Sequence, residues 1–327
     1  MDYTTLGNTG LRVSVAGLGC GGFSQLGLGT GGSEADAIGI IRAALDLGVN
    51  LFDTAAAYGT EKVLGKALEG VPRDQVVICT KAPFGVSNPN STPESAVASL
   101  DRSLRELGTD YIDVYQLHGV APRAYDHALS VLAPALLREQ EKGKFRHLGI
   151  TETAPGDQGH AMAQRACRDG VWDVLMVAFH MMHQNARDAV FPLTRQYGVG
   201  TLMMFAVRNI FSRPERLALT MHEMAADGLV PQALADSPDP FGFLVHPGGA
   251  STLIDAAYRF VRHEPGVDVV LFGTGDPEHL RSNIASILKP PLPEADRARL
   301  AELFGHLVGV GLDAPHLSRT TGRVTRG

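Results

Sequence analysis

Four side chains in the first half of the chain carry chemistries that fit together: Asp53 and Tyr58 in GVNLFDTAAAYG, Lys81 in VVICTKA, and His118 in DYIDVYQLHGV. Adding a hydride to a carbonyl carbon leaves charge on its oxygen, and a proton must reach that oxygen from the other side. A phenol with its ordinary pKa of about 10 is a reluctant acid and a worse base near neutrality. A neighbouring ammonium stabilises the phenolate and lowers that pKa. A carboxylate positions the ammonium, which would be costly or would shed its proton if buried unpaired. An imidazole within reach orients the substrate oxygen or shares the proton. Tyr58 is therefore assigned as general acid/base, Lys81 as its pKa tuner, Asp53 as the lysine's partner and His118 as the carbonyl orienter. Singly, each has a plainer reading: a helix cap, core packing, a surface charge, a satisfied histidine. Their placement at three successive strand ends argues against coincidence.

The elements that must deliver these groups follow from the apolar runs. Runs rich in Val, Ile, Leu and Phe lie at 13–19, 49–53, 76–80, 111–117, 145–151, 172–178, 200–205 and 267–273. Amphipathic helical patterns separate most of them, among them Asp36 to Leu47, Glu61 to Leu68, Pro93 to Leu107 and Ala124 to Lys142. Strands apolar on both faces that alternate with helices indicate a parallel sheet covered by helices. Eight such units predict an α/β fold, a closed (β/α)8 TIM barrel, whose chemistry sits at the C-terminal strand ends.

The residues 1–327 read as one barrel domain with three additions. TTLGNTGLRV reads as an N-terminal β-hairpin turning at Gly7-Asn8-Thr9-Gly10. The stretch 207–249, after the seventh barrel strand, is longer than a βα connection and carries prolines at 214, 231, 238, 240 and 247. It is expected to be a long active-site loop region; the plainer alternative is an unstructured insertion. A C-terminal helix is expected within 293–312, from Pro293 to Val310, followed by a frayed tail SRTTGRVTRG. Phe23 to Gly32 is Gly-rich and reads as loop.

Bulk properties exclude several classes. A formal charge of -6, from 29 basic and 35 acidic residues, offers neither a nucleic-acid groove nor a polybasic membrane patch. No apolar run approaches the roughly 20 residues of a membrane span. MDYTTLGNTG lacks the layout of a secretory signal. Cys20, Cys79 and Cys167 are an odd, widely spaced set, read as reduced core thiols in a reducing compartment. A cytoplasmic location is the expectation, with no nucleic-acid or membrane partner; the oligomeric state is not legible.

Other motifs carry less. Gly17-Leu-Gly19-Cys-Gly-Gly22 fits GxGxxG, but FSQLGLGTGG follows where a Rossmann site needs a helix. These glycines read as turns or as a close backbone approach to a ligand. His180 and His183 have no carboxylate or Cys neighbours, and His222-Glu223 lacks a second histidine, so no metal is expected. Met181, Met182, Met203, Met204 and Met221 read as core or pocket lining, and Trp172 as packing.

NLFDTAAAYG, the lysine of CTKA and DYIDVYQLH resemble the Asp/Tyr/Lys/His signature segments of the aldo-keto reductases. GLGCGGF, KGKFRHLGIT and FGTGDPEHLRSN resemble other landmarks of that family. The resemblance implies a nicotinamide dinucleotide lying across the strand ends and reversible reduction of a small-molecule aldehyde or ketone. By the same resemblance, Gly19, Cys20 and Gly21 lie beside the cofactor. Thr151-Glu152 stands where the family has Ser-Asn, and Met176 where it has Gln. Met204, with Phe205 beside it, replaces the stacking aromatic, and Arg208 is a pyrophosphate contact. Gly273, Thr274 and Gly275 would cradle the adenosine phosphate at a helix start, with Asp276-Pro277 as cap and first turn. His279 and Arg281 are the only candidates for a 2′-phosphate, and Asn283 closes the set. NADPH is the implied cofactor. NADH stays open, because Gly275 and Asp276 stand where the family commonly has Lys or Arg. These departures leave room for two other functions, a nucleotide-binding sensor barrel with little turnover and a non-redox lyase or isomerase.

Overall fold

In the computed structural model, which describes residues 1–84, 90–312 and the backbone of 325–326, the eight apolar runs close on themselves as a parallel barrel. A two-stranded hairpin, β1 (Tyr3–Thr5) and β2 (Arg12–Ser14), precedes it. The barrel strands are β3 (Ala16–Gly19), β4 (Leu51–Asp53), β5 (Val77–Pro83), β6 (Ile112–Val120), β7 (Phe145–Glu152), β8 (Val174–Ala178), β9 (Gly200–Met204) and β10 (Val269–Phe272). Each pairs with its sequence neighbour, and β10 closes on β3. The first run, expected as one strand over 13–19, is divided at Val15: its start belongs to the hairpin and its end to the barrel.

Helices cover the outside where the amphipathic patterns put them. They include α1 (Glu34–Asp46), α2 (Glu61–Leu68), α3 (Pro93–Leu107), α4 (Ala133–Glu141), α5 (Ala161–Asp169), α6 (Phe191–Tyr197), α7 (Pro214–Ala226), α8 (Leu253–Arg262), α9 (Pro277–Ile287) and α10 (Glu294–Phe304). In α3, Thr92 and Ser95 form a reciprocal capping box and Gly108 ends the helix at φ 64. The pattern over 124–142 is one helical run, 125–141, but not regular α-helix throughout. A wide π turn at Ala128–Leu132 precedes α4. Pro134 in the first turn of α4 lacks an N–H and would collide with the carbonyl four residues earlier in a continuous helix.

The hairpin closes the N-terminal mouth of the barrel. Leu6, Leu11 and Val13 share one buried cluster with Leu51, Val77, Val114, Val174, Leu202 and Val269, drawn from six barrel strands. Burying such a side chain fully is worth about 1.5–3 kcal/mol, so this end is a dry floor. Polar inward-facing groups are left to the opposite, C-terminal end.

The long segment after β9 is helical rather than unstructured. It holds α7 and two single-turn helices, Asn209–Ser212 and Gln232–Ala235. Phe241 stacks on Phe304 of α10 with centroids 5.1 Å apart, and His306 bonds the Leu229 carbonyl. The expected C-terminal helix ends at Phe304, and Leu307–Val308 pairs antiparallel with Thr325–Arg326. The rest of the tail expected to fray lies outside the described residues.

Candidate active site

β4 ends on Asp53, and the chain then makes one 3-10 turn, Ala56–Tyr58, closed by Gly59 at φ 74. Parallel register sets Asp53 beside Cys79, Lys81 beside Gln116 and Pro83 beside His118. The four residues singled out in the sequence therefore converge at one end of three adjacent strands.

Lys81 has no exposed surface, and Asp53 is buried. The ammonium donates to Asp53 Oδ1 at 2.8 Å, to Oδ2 at 2.7 Å and to the Thr54 carbonyl at 2.8 Å. Nζ lies 5.1 Å from the centroid of the Tyr58 ring. The Tyr58 hydroxyl is 3.3 Å from His118 Nε2, the two rings meeting edge-on. Gln116 completes the cluster, its Nε2 3.5 Å from Asp53 Oδ1.

Burial favours the neutral form of every group here, and charges decide the remainder. It opposes the Lys81 charge, but Asp53 more than compensates, and the ammonium is held above its ordinary range. The His118 imidazole is pushed down to about 3 by burial and by the Lys81 charge, so it is neutral at physiological pH. Burial raises the Tyr58 phenol while Lys81 pulls it back. The net direction is upward, so the lysine limits a rise instead of producing the drop that the pairing alone suggests.

The glycines of the first strand end have a physical reason to be there. A Cβ on Gly21 would sit 2.5 Å from Tyr58 Cε2, so the phenol ring lies directly on that backbone. A Cβ on Gly273 would sit 3.2 Å from the Gly19 carbonyl, and one on Gly275 would overlap Gly27. Cys20 is fully buried, and burial holds its thiol protonated.

The remaining expected cofactor contacts divide. Thr151 is buried, its hydroxyl oxygen accepting from the Gly119 N–H at 2.7 Å. Met176 is buried, Met204 is half-buried, and Phe205 stands at φ 73 with the Arg208 guanidinium 4.1 Å above its ring. Leu312 joins Ala154, Ala178, Met204 and Phe205 in a small apolar cluster.

Glu152, expected to offer acceptors to the nicotinamide, turns inward. Oε1 accepts from the Ala178 N–H at 2.7 Å, and Oε2 lies 2.8 Å from His160 Nδ1 with both side chains fully buried. Both Glu152 carboxylate oxygens are thus engaged within the protein, whereas the Thr151 hydroxyl lies at the strand end beside Gly119. At the start of α9, Asp276 Oδ1 accepts from the N–H groups of Glu278 and His279 at 2.7 and 3.0 Å. His279, Arg281 and Asn283 follow on that helix, the first two exposed.

Two participants escaped the sequence reading. Gln116 was available by parity, being two residues before His118 on the same strand and so on the same face. Thr54 acts through its backbone carbonyl, which no residue type announces.

Comparison with known proteins bears on the family and the fold. The sequence profile of the Aldo/keto reductase family matches residues 17–304. The chain is 38% identical over 208 residues to L-galactose dehydrogenase of Arabidopsis thaliana, a match covering 62% of this chain and 64% of the plant enzyme. It is 26% identical over 298 residues to aldo-keto reductase YhdN of Bacillus subtilis, covering 86% and 87% of the two chains. Among solved structures, a Pseudomonas aeruginosa protein described as an aldo-keto reductase is similar, with 26% identity, a TM-score of 0.62 and coverage of 87% and 93%. An aldo-keto reductase of Bacillus halodurans, solved in its holo form, shares the fold, with a TM-score of 0.69, 23% identity and coverage of 93% and 96%.

Proposed function

The chain belongs to the aldo-keto reductase family, and from that premise we propose that it interconverts an aldehyde or ketone and its alcohol with Tyr58 as general acid/base. One observation carries this reading: the Lys81–Asp53 ion pair is sealed beneath the Tyr58 ring while the hydroxyl faces a neutral His118. A carbonyl oxygen lying within hydrogen-bond reach of both that hydroxyl and His118 Nε2, to one side of the line joining them, is oriented by both when the imidazole carries its proton on Nε2. Tyr58 gives its proton to the oxygen as charge develops there. Lys81, fixed by two carboxylate oxygens and one carbonyl, stabilises the phenolate that remains. His118 orients without supplying a charge, because it stays neutral far below neutrality. In the alcohol direction the roles reverse, and the phenolate accepts the proton.

The residues at the C-terminal strand ends suit a nicotinamide dinucleotide, which when bound would supply or accept the hydride. The Thr151 hydroxyl offers a polar contact and Met176, Met204 and Phe205 form apolar lining, while Gly21 is covered by the Tyr58 ring and Gly273 lies against Gly19. Arg208 would meet the pyrophosphate, and the start of α9 the adenosine end. NADPH is what the family implies. At α9, however, Asp276 already occupies two helix amides with a carboxylate held charged by those bonds, and Glu278 adds a second acid. Like charges repel, so acids at this place oppose a 2′-phosphate, which favours NADH.

The direct test mixes the protein with NADH or NADPH and a panel of aldehydes and ketones, following loss of the reduced nucleotide's absorbance. The plant relative's name adds aldoses, oxidised with the oxidised nucleotides, to the panel. Turnover that disappears in Tyr58→Phe supports the reading. Nucleotide binding without turnover would favour a sensor, and absence of binding a non-redox barrel.

A further inference from the structure

The loop that carries Tyr58 runs from Thr54, just past β4, to Thr60, just before α2, and its two ends meet. The Thr54 and Thr60 hydroxyls lie 2.9 Å apart, with both side chains buried. Thr60 holds the N-cap position of α2, where a threonine ordinarily turns its hydroxyl to an amide of the first turn. Here the hydroxyl caps nothing: the backbone stands at φ -104 and ψ -2 instead of extended, and the oxygen meets Thr54 across the loop. Giving up a cap weakens a helix, and such local departures gather where function sets the geometry.

Both ends are tied to β5, the strand that carries Lys81. The Thr54 N–H bonds the Cys79 carbonyl at 2.8 Å, the Thr54 carbonyl accepts from Lys81 Nζ at 2.8 Å, and Glu61 Oε1 accepts from the Thr80 hydroxyl at 2.6 Å. Between these ties the chain rises to the barrel rim, where Ala57 and Gly59 are exposed and Tyr58 is half-buried. Gly59 follows the tyrosine at φ 74, and glycine is the residue that restrains a chain least. Past it, Thr60 is the first buried side chain, so its bond to Thr54 closes the loop within which the phenol sits.

We propose that Thr54 and Thr60 are positioning residues, and that their hydroxyl bond holds the Tyr58 phenol on Gly21, beside His118 and over Lys81. Neither hydroxyl touches a reacting atom; both act through Tyr58. Thr54 has a double part, since its carbonyl fixes the ammonium while its hydroxyl fixes the loop. The phenol and the charge that stabilises its anion are thereby held from one residue. An opened loop would carry the ring away from Lys81, and the attraction between charges falls with distance.

The proposal rests on the acid/base reading of Tyr58, and stability separates it from mere packing. Thr54→Val or Thr60→Val alone leaves the other hydroxyl buried without that partner and should lower Tm. Both together remove the pair at nearly constant shape and should leave Tm close to the parent's. If the hydroxyls served only each other, this double variant would also be fully active. It should instead lose kcat about tenfold on the panel substrate that the parent reduces fastest, with KM and nucleotide affinity within about twofold, as for a displacement felt only at the reacting group. Thr60→Ser, which keeps the hydroxyl, should retain kcat within about twofold. The ring is also read without turnover. In protein carrying 3-fluorotyrosine at position 58, the fluorine resonance should move toward that of the free amino acid in the double variant and stay in place in Thr60→Ser. A double variant with parental kcat, or with its resonance unmoved, overturns the proposal, as does a Thr60→Ser protein impaired like the double. A parent without turnover, or a Tyr58→Phe protein that keeps it, overturns the acid/base reading on which the proposal rests. The resonance then tells that failure from a loop that the hydroxyls do not hold.

Discussion

Lys81 lies with its ammonium between two oxygens of Asp53, at 2.8 and 2.7 Å, and 5.1 Å from the centre of the Tyr58 ring. The acid therefore holds the cation fixed while leaving its field on the phenol. Breaking such a buried pair from one side costs about 3–5 kcal/mol, because the other charge is left without compensation. Lys81→Met should accordingly lower the unfolding free energy by that amount, measured by urea denaturation, as well as removing activity. Lys81→Met combined with Asp53→Asn should recover much of the stability and none of the turnover. A single variant as stable as the parent would mean that the pair is not buried as described.

Tyr58→Phe should remove turnover in both directions while leaving nucleotide binding, read by fluorescence titration, within about twofold of the parent, the tenfold benchmark being 1.4 kcal/mol. Because the phenol is raised above its ordinary range, reduction should hold level through neutrality and decline only above about pH 10. Oxidation should rise over the same interval. No acid limb should come from His118, which is already neutral above about 3.

Much of this arrangement is legible in the sequence. Strand runs are read from hydrophobicity, and in a parallel barrel polar residues at their ends fall on one rim, so Asp53, Lys81 and His118 could be placed together from spacing alone. What was not legible depends on backbone conformation or on facing partners. Glu152 could not be seen to turn inward without His160, which stands at φ 56 and presents its ring from a position rarely taken by a side-chain-bearing residue. The pocket for Gln116 is made by a glycine on the next strand, a relation that register reveals and sequence spacing does not. The rise of the Tyr58 phenol needed the degree of burial, which no residue type encodes.

The Glu152–His160 pair should make stability depend on pH. Burial opposes the charge on His160, but Glu152 and Asn185 together raise its pKa above the ordinary value of about 6.5. For a group raised in the folded state, the stabilisation is fully present below the unfolded value and is lost as pH rises through the folded one. The difference in Tm between the parent and His160→Gln should therefore be largest below about pH 6.5 and shrink toward alkaline pH. A difference that grows with pH would show that the pair is neutral when folded.

If Asp276 acts as argued, NADH should bind at least tenfold more tightly than NADPH, and Asp276→Ser should narrow that ratio mainly by improving NADPH. Serine preserves a helix cap at a cost within about 1 kcal/mol, so a change in nucleotide ratio would report the charge and not the loss of α9. Fluorescence titration of both nucleotides against both proteins decides it. NADPH binding the parent more tightly would reverse the assignment.

Gly21 offers the sharpest separation of catalysis from stability. A methyl group there would lie 2.5 Å from the ring edge of Tyr58, closer than any van der Waals contact allows, so the half-buried ring must shift to admit it. The strain is thus relieved by displacing the phenol, not by opening the core. A displacement of about 1 Å at a reacting group can cost on the order of 100-fold in rate. Gly21→Ala should therefore lower kcat by one to two orders of magnitude, about 1.4–2.7 kcal/mol in barrier, while Tm stays close to the parent. The Tyr58→Phe background supplies the control, since adding Gly21→Ala to it should cause no further loss of activity. Unchanged kcat in the single variant would mean that the phenol is not held where catalysis requires it, and that the hydroxyl 3.3 Å from His118 is not the acid.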